Sequence, residues 1–304
     1  MFAAKPLADS IASGIRLTTL QVTFPRIVLA EFNTHRVFSR SSASSRAIPV
    51  EKRIKEVRQN PFIPEAFGAN KKGMQAGDTL AEDGQGLARM TWLDAASHAT
   101  QHAEDLAKIG VHKQWANRML EPFLWHTVIV TATEWANFFA LRCSPEAQPE
   151  IRTVAELMRD ALAASTPVEL KQGEWHLPFV FEEDRWAFSD MDPAALPLAD
   201  LPKVSTARCA RVTHLTHDGK RDLNADISLH DKLLTSGHMS PFEHAAKVVD
   251  PSLVDPLFAP IYKNDPANPN QRVLSHFMCG NFRAPFVQYR KTIPGEDLFQ
   301  SFNT

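Results

Sequence analysis

Thr34-His35-Arg36-Val37-Phe38-Ser39-Arg40-Ser41-Ser42-Ala43-Ser44-Ser45-Arg46 is the stretch on which the reading of this chain turns. Three arginines, one histidine and five serines fall within thirteen residues. Guanidinium forks and serine hydroxyls are the groups that hold phosphate oxygens, through bidentate charge-assisted bonds and neutral donors. A solvated polar loop with stray positive charge accounts for the same composition, and on composition alone it is the better reading. Immediately upstream, Ile15 to Phe32 is apolar and β-branched with one interruption at Pro25, which predicts a strand feeding a helix. Downstream, Ile54 and Val57 share a face of a short helix over Glu51–Gln59.

Further out, helical spacing runs from Leu87 to Leu120 and is broken at Gly110. Phe123–Leu141 is apolar, and Pro149–Ala164 opens with Pro and Glu as helix starts prefer. Asp226–Ser236 reads as a helix stopped by Gly237, and Val273–Tyr289 as a last strand-like piece. Irregular insertions are expected near 60–86, 185–204 and 251–271, the last carrying five prolines. The expected fold is α+β: one domain over 1–304, a single mixed α/β unit with a central sheet flanked by helices.

The chain has 304 residues, 44% hydrophobic and 22% charged, which excludes wholesale disorder. Thirty-three Lys+Arg against thirty-five Asp+Glu lack the positive excess of a dedicated nucleic-acid binder. No stretch approaches the ~20 apolar residues of a membrane span. Three scattered cysteines without a C-x-x-C fit a reducing cytoplasm, and argue against a disulfide framework or a zinc ribbon. The expectation is a soluble cytoplasmic protein without a metal, nucleic-acid or membrane partner.

Two other clusters could carry chemistry. Ser236-Gly237-His238-Met239-Ser240-Pro241-Phe242-Glu243-His244 ends one helix with Gly and predicts a second that begins at an N-cap Ser240, with Glu243 completing a capping box. That reading leaves both histidines unexplained, and a helix N-terminus also offers free N–H groups to an anion. In Thr131–Arg142, Ala132, Trp135, Phe139 and Arg142 share a helical face, with Asn137 and Arg142 as its polar exceptions. No G-x-G-x-x-G, Walker loop or G-x-S-x-G elbow is present.

Taken together, these pieces resemble the flavin-dependent thymidylate synthase family. Its R-H-R-x-x-S-x-N-x-x-S-x-R run is matched in type by His35, Arg36, Ser39, Ser44 and Arg46. Its Arg ahead of a proline resembles Arg118 and Pro122, and its N-F-x-x-L-R resembles Asn137-Phe138 with Leu141-Arg142. Its A-R-V-S and H-x-(T/S)-P-F-E-H elements resemble Ala210–Thr213 and His238–His244. The chain departs from the pattern with Thr34 for the first Arg, Ser41 for the Asn, and Glu31 where the family has Gln. The order also differs: the last two elements precede the R-H-R run in the family and follow it here, as a circular permutation would give.

The resemblance implies reductive methylation of dUMP to dTMP, with FAD as cofactor and NADPH and methylenetetrahydrofolate as co-substrates. It implies Arg46 and Arg118 on the nucleotide phosphate, with Glu31 near it as an anion that repels phosphate. It implies Ser44 as a hydroxyl donor and Arg142 as the group that polarises the pyrimidine carbonyls. His35, Arg36, Ser39, Ser41, Asn137, Thr213, His238, Ser240 and Glu243 would line the FAD. No cysteine nucleophile is needed, and a homotetramer is implied. The altered positions keep open a hydroxymethylase or a methylase of dCMP on the same scaffold, and a catalytically inactive flavin- or nucleotide-binding homologue.

Overall fold

The computed structural model describes residues 1–73, 75, 77–188, 196–216, 218–254, 261–264, 272–276 and 279–296, with backbone alone at 261–264 and 272–276. Its strands are β1 (Ala3–Ala12), β2 (Ile15–Pro25), β3 (Ser39–Ser42), β4 (Trp125–Ala132), β5 (Val168–Glu169), β6 (Trp175–His176), β7 (Ala246–Val248), β8 (Ile261–Asn264), β9 (Arg272–His276) and β10 (Phe286–Gln288). Its helices are α1 (Leu29–Phe32), α2 (Val50–Gln59), α3 (Glu82–Lys108), α4 (Lys113–Ala116), α5 (Ala136–Arg142), α6 (Pro149–Ala164), α7 (Glu182–Arg185), α8 (Leu201–Arg211) and α9 (Leu223–Thr235). A five-stranded sheet in the order β3-β4-β2-β1-β5 is the centre of the mixed α/β architecture expected from the sequence. A smaller sheet, β10-β7-β6, draws on segments far apart in the chain.

Alternation along β2 and β4 decides what covers each side of the central sheet. Leu20, Val22 and Phe24 share one face with Val128, Val130 and Ala132, and α6 covers it with Ile151, Val154, Ala155 and Met158. The opposite face carries Thr19, Gln21, Ile129 and Thr131, and α8 and the small sheet cover it. Five of its groups form a buried hydroxyl–imidazole chain. Ser10 Oγ lies 2.9 Å from His176 Nδ1, and His176 Nε2 lies 2.8 Å from Thr19 Oγ1. Thr19 meets Thr131 at 2.7 Å, and Thr131 meets His244 Nδ1 at 2.8 Å. Burial holds both imidazoles neutral, lowering each pKa to about 3.

An ionic lock fastens α7, α8 and α9 together. The fully buried Arg208 grips both oxygens of Asp184 at 2.6 and 2.9 Å and Asp226 at 2.8 Å. Arg211 also reaches Asp226, and Arg221 reaches Asp184 at 2.9 Å. With every buried charge paired and hydrogen-bonded, removal of one partner would strand the others.

Several expectations need correction. The insertion near 60–86 ends early, because α3 begins at Glu82 with Glu82 and Asp83 complementing its N-terminus. The insertion near 185–204 likewise ends at Leu201, since Pro202 sits in the first turn of α8, where its missing N–H costs nothing. Within 251–271, Pro251–Leu253 is a 3-10 turn and β8 pairs antiparallel with the following β9, so part of the irregular excursion is ordered; 255–260 and 265–271 lie outside the described residues. The helix expected at Asp226 starts at Leu223, capped by the Asp222 carboxylate on the Ala225 amide. The capping box is absent. Ser240–Glu243 is a single 3-10 turn with Met239 as its N-cap, and the Glu243 carboxylate is drawn to Arg290 instead. Among the described residues no helix is long and apolar enough to cross a membrane.

Candidate functional site

β2 ends at Pro25, and a short 3-10 turn and α1 carry the chain to Thr34, where the R-H-R-like run begins. His35 is buried against the Phe138 edge, with ring centroids 4.8 Å apart, and Phe38 packs beside it. Its Nε2 accepts from Arg142 Nε at 3.0 Å. A guanidinium only donates, so the His35 proton is on Nδ1. Burial first, then the charges of Arg142 and Arg40, hold the His35 pKa below its ordinary value, and the ring is a neutral acceptor. Arg142 NH2 also approaches Thr34 Oγ1 at 3.4 Å, while that hydroxyl donates to the Glu31 carbonyl at 2.6 Å. Three positions of the sequence pattern, 34, 35 and 142, thus meet in one place. The packing of α5 makes the meeting possible, because Trp135 and Phe138 bury its inner face and leave Arg142 half-buried on its last turn.

The second group brought together is the expected phosphate set. After β3 the loop bearing Ser44 and Arg46 is tied down by Asn117, whose Nδ2 donates to the Ser45 and Ile48 carbonyls at 2.7 and 2.9 Å. Ser45 Oγ donates to Glu121 at 2.9 Å, and Glu121 also pairs with Arg26 at 2.9 Å and Arg118 at 3.5 Å. Ser44 Oγ accepts from the Arg46 amide at 3.2 Å, and the Ser44 and Arg46 residues are exposed. Arg118, Ser44 and Arg46 are therefore neighbours through Asn117 and Glu121, two residues that the sequence reading did not single out. Glu31 has a buried carboxylate oxygen without a hydrogen-bond partner.

The expected flavin-lining residues divide. Arg36, Asn137, His238 and Ser240 are exposed and Thr213 is half-buried. The His238 ring bonds Ser236 Oγ at 2.9 Å, and Thr213 Oγ1 accepts from the Leu215 amide at 3.2 Å. Ser39 is fully buried, and its hydroxyl accepts from Gln288 Nε2 at 2.7 Å. Glu243 pairs with Arg290 at 2.6 Å, and Arg290 in turn holds Glu296. Ser41 is buried, with an unpartnered hydroxyl. Gln288 and Arg290, from the far end of the chain, thus clasp Ser39 and the Ser240–Glu243 turn; no local signal marks either one. For a dinucleotide cofactor the donor set fits in part. Arg36 and Asn137 are free to donate, exposed Val37 and Leu141 flank them with apolar surface, and Ser39 and Glu243 are already engaged.

Burial raises the pKa of all three cysteines, Cys279 to about 11, so none of them is poised as a thiolate nucleophile. Among the described residues no group of three or more His, Cys, Asp or Glu is placed to hold a metal ion.

The family described as thymidylate synthase complementing protein matches residues 16–168. This span runs from β2 to β5 and includes both residue groups built above. No curated protein sequence gives a significant match. Two solved structures are similar, both of the UMP/dUMP methylase PolB from Streptomyces cacaoi. One, bound with 5-Br dUMP, is 17% identical at TM-score 0.45 and covers 54% of this chain and 90% of its own. The other, bound with 5-Br UMP, is 18% identical at TM-score 0.46 and covers 54% of this chain and 89% of its own.

Proposed function

We propose, from the premise that the chain belongs to the thymidylate synthase complementing protein family, that it methylates the pyrimidine ring of a deoxynucleotide monophosphate, dUMP in the first instance. The observation that carries this reading is the His35–Arg142 pair. With Nε held by neutral His35 and one NH2 hydrogen directed at Thr34 Oγ1, the guanidinium is oriented and keeps its NH1 hydrogens and the other NH2 hydrogen for a ligand. A fixed cation beside a pyrimidine stabilises negative charge as it builds on the ring carbonyl oxygens, and it needs no reorganisation at that moment. Arg46 and Arg118 bind the phosphate as charge-assisted donors, and Ser44 adds a hydroxyl. By the family resemblance, Glu31 stands where a neutral amide would face the nucleotide, and its charge would weaken phosphate binding.

When bound, FAD reduced by NADPH supplies the hydride, and methylenetetrahydrofolate supplies the carbon. Arg36 and Asn137 would hold the flavin from the exposed rim, with Thr213, His238, Ser240 and the backbone near Ser41 as further contacts. The protein contributes orientation and electrostatics. We place the enzyme in the cytoplasm as a homotetramer; exposed Leu87, Met90, Ile109 and Trp115 on and beside α3 support self-association.

A second reading rests on one observation. The unpartnered Glu31 oxygen is an acceptor, and an exocyclic amine of cytosine would satisfy it. Incubation with FAD, NADPH, methylenetetrahydrofolate and either dUMP or dCMP, followed by mass spectrometry of the nucleotide, separates the two. A gain of CH2 on dUMP is expected. Reaction only with dCMP, or a gain of CH2O, would replace the first reading with altered pyrimidine chemistry. A flavin-loaded protein without product would leave a binding homologue.

A further inference from the structure

β3 pairs with β4 from Val128 to Thr131, so among the described residues no strand lies beside that edge of β4 over Trp125–Thr127. A cleft of about 460 Å³ opens there, between that edge and α2, lined by Arg53, Trp125 and His126 with Gln21, Glu56 and Val212 around them. A volume of this size matches a small-molecule site.

The proton positions in the cleft are fixed by its neighbours. Arg26 NH1 lies 3.2 Å from His126 Nδ1. Because arginine only donates, Nδ1 accepts and the His126 proton sits on Nε2. That Nε2–H is buried and has no partner among the described residues. Arg53 is also more than nine-tenths buried; its NH1 is held by Glu56 at 2.6 Å, and its Nε–H has no partner. The Arg53 charge acts on His126, which, after burial and together with Arg26, keeps the imidazole neutral. A third unpartnered N–H, Trp125 Nε1, belongs to the same lining. Every buried side-chain polar atom of this lining without a partner is therefore a donor.

Buried unpaired donors are few in native proteins, and a cluster of them calls for a partner. One water accepts from at most two donors, and its own two hydrogens would then need acceptors. An oxyanion brings several lone pairs and no hydrogen, and it gains a charge-assisted bond from arginine. We propose that this cleft is a binding site for the carboxylate or phosphate group of a small ligand, which reaches the buried Arg53 Nε and His126 Nε2 when the side chains that close over them turn aside. The inference needs neither the flavin nor the methylation reaction, and its test reads binding, so its failure leaves the reading of the His35–Arg142 site untouched.

The test is calorimetric titration of the full chain with sodium phosphate and, separately, sodium glutarate, against sodium chloride at matched ionic strength. The variants are His126→Asn, which keeps an acceptor for Arg26 and withdraws the Nε2 donor, and Arg53→Gln. Saturable binding of phosphate or glutarate, absent with chloride and weakened by about tenfold or more in each folded variant, is expected. Which anion binds identifies the group. If circular dichroism shows that one variant is unfolded, the other decides. No saturable binding of either anion overturns the proposal, and so does binding that both folded variants retain at full strength.

Discussion

The two faces of the β2–β4 ladder are made of alternate residues of the same strands, yet they are held by different physics. On one face Leu20, Val22, Phe24, Val128 and Val130 are buried against α6, and what matters there is volume. On the other, Thr19 and Thr131 are equally buried but are satisfied by each other and by His176 and His244, each histidine more than 100 residues from its threonine partner. The apolar face tolerates any well-fitting neighbour. The polar face requires particular partners, because an unpaired buried hydroxyl or imidazole is costly.

Acid should separate the faces most sharply. His176 and His244 have folded-state pKa values near 3, against about 6.5 unfolded. Between those values the unfolded chain binds more protons. Their neutral burial thus gives its full stability above pH 6.5, and that stability is lost as pH falls toward 3. Together they account for up to about 3 kcal/mol per pH unit in that window. Urea midpoints measured from pH 7.5 to 4 should fall steeply, and His176→Gln should flatten the fall. An equally steep fall in that variant would mean that the acid sensitivity lies elsewhere.

Next in size is Phe24→Ala on the apolar face, expected to cost about 3–5 kcal/mol in urea unfolding. At the site, Arg142→Ala should lower turnover by roughly 10²–10³-fold while the flavin stays bound; wild-type rates would remove Arg142 from the mechanism. On the polar face, Thr131→Val keeps the shape but strands His244 Nδ1 and takes one of the two partners of Thr19, with an expected loss of about 2–3 kcal/mol. A loss below 1 kcal/mol by the same measurement would show that the chain is not a unit. The smallest effect is expected for Glu31→Gln, which should tighten dUMP binding by less than about tenfold by removing a nearby negative charge. Unchanged affinity would place Glu31 away from the phosphate.

The site was legible where its residues are close in sequence or sit on a regular element. The family resemblance singled out the His35-Arg36 run, Arg142 at the end of α5 and Arg118 ahead of Pro122, and the structure joins position 35 to 142 and loop 44–46 to position 118. Asn117 and Glu121, which make the second junction, gave no signal because a buried amide and a half-buried carboxylate look like any polar residue in a string. Ser39 could be seen, but its partner Gln288 could not, since a bond across 249 positions has no local pattern. The Ser240 turn misled for the opposite reason. Its local pattern was a capping box, but the stronger attraction of Arg290 for Glu243 overrode it.

By itself the sequence determined the elements whose stabilisation is local: α6 from Pro149 to Ala164, the break at Gly110, and the strand–Pro–helix passage into Thr34. Periodicity, proline geometry and left-handed glycine act over a few residues and are written into the chain. Only the tertiary structure decided which buried polar groups are paired. It placed His176 and His244 on the threonine face, set the protons on Nδ1 of His35 and Nε2 of His126, and left Arg53 Nε without a partner. The physical reason is that a hydrogen bond depends on the position and direction of both partners, and folding brings those partners together from remote parts of the chain.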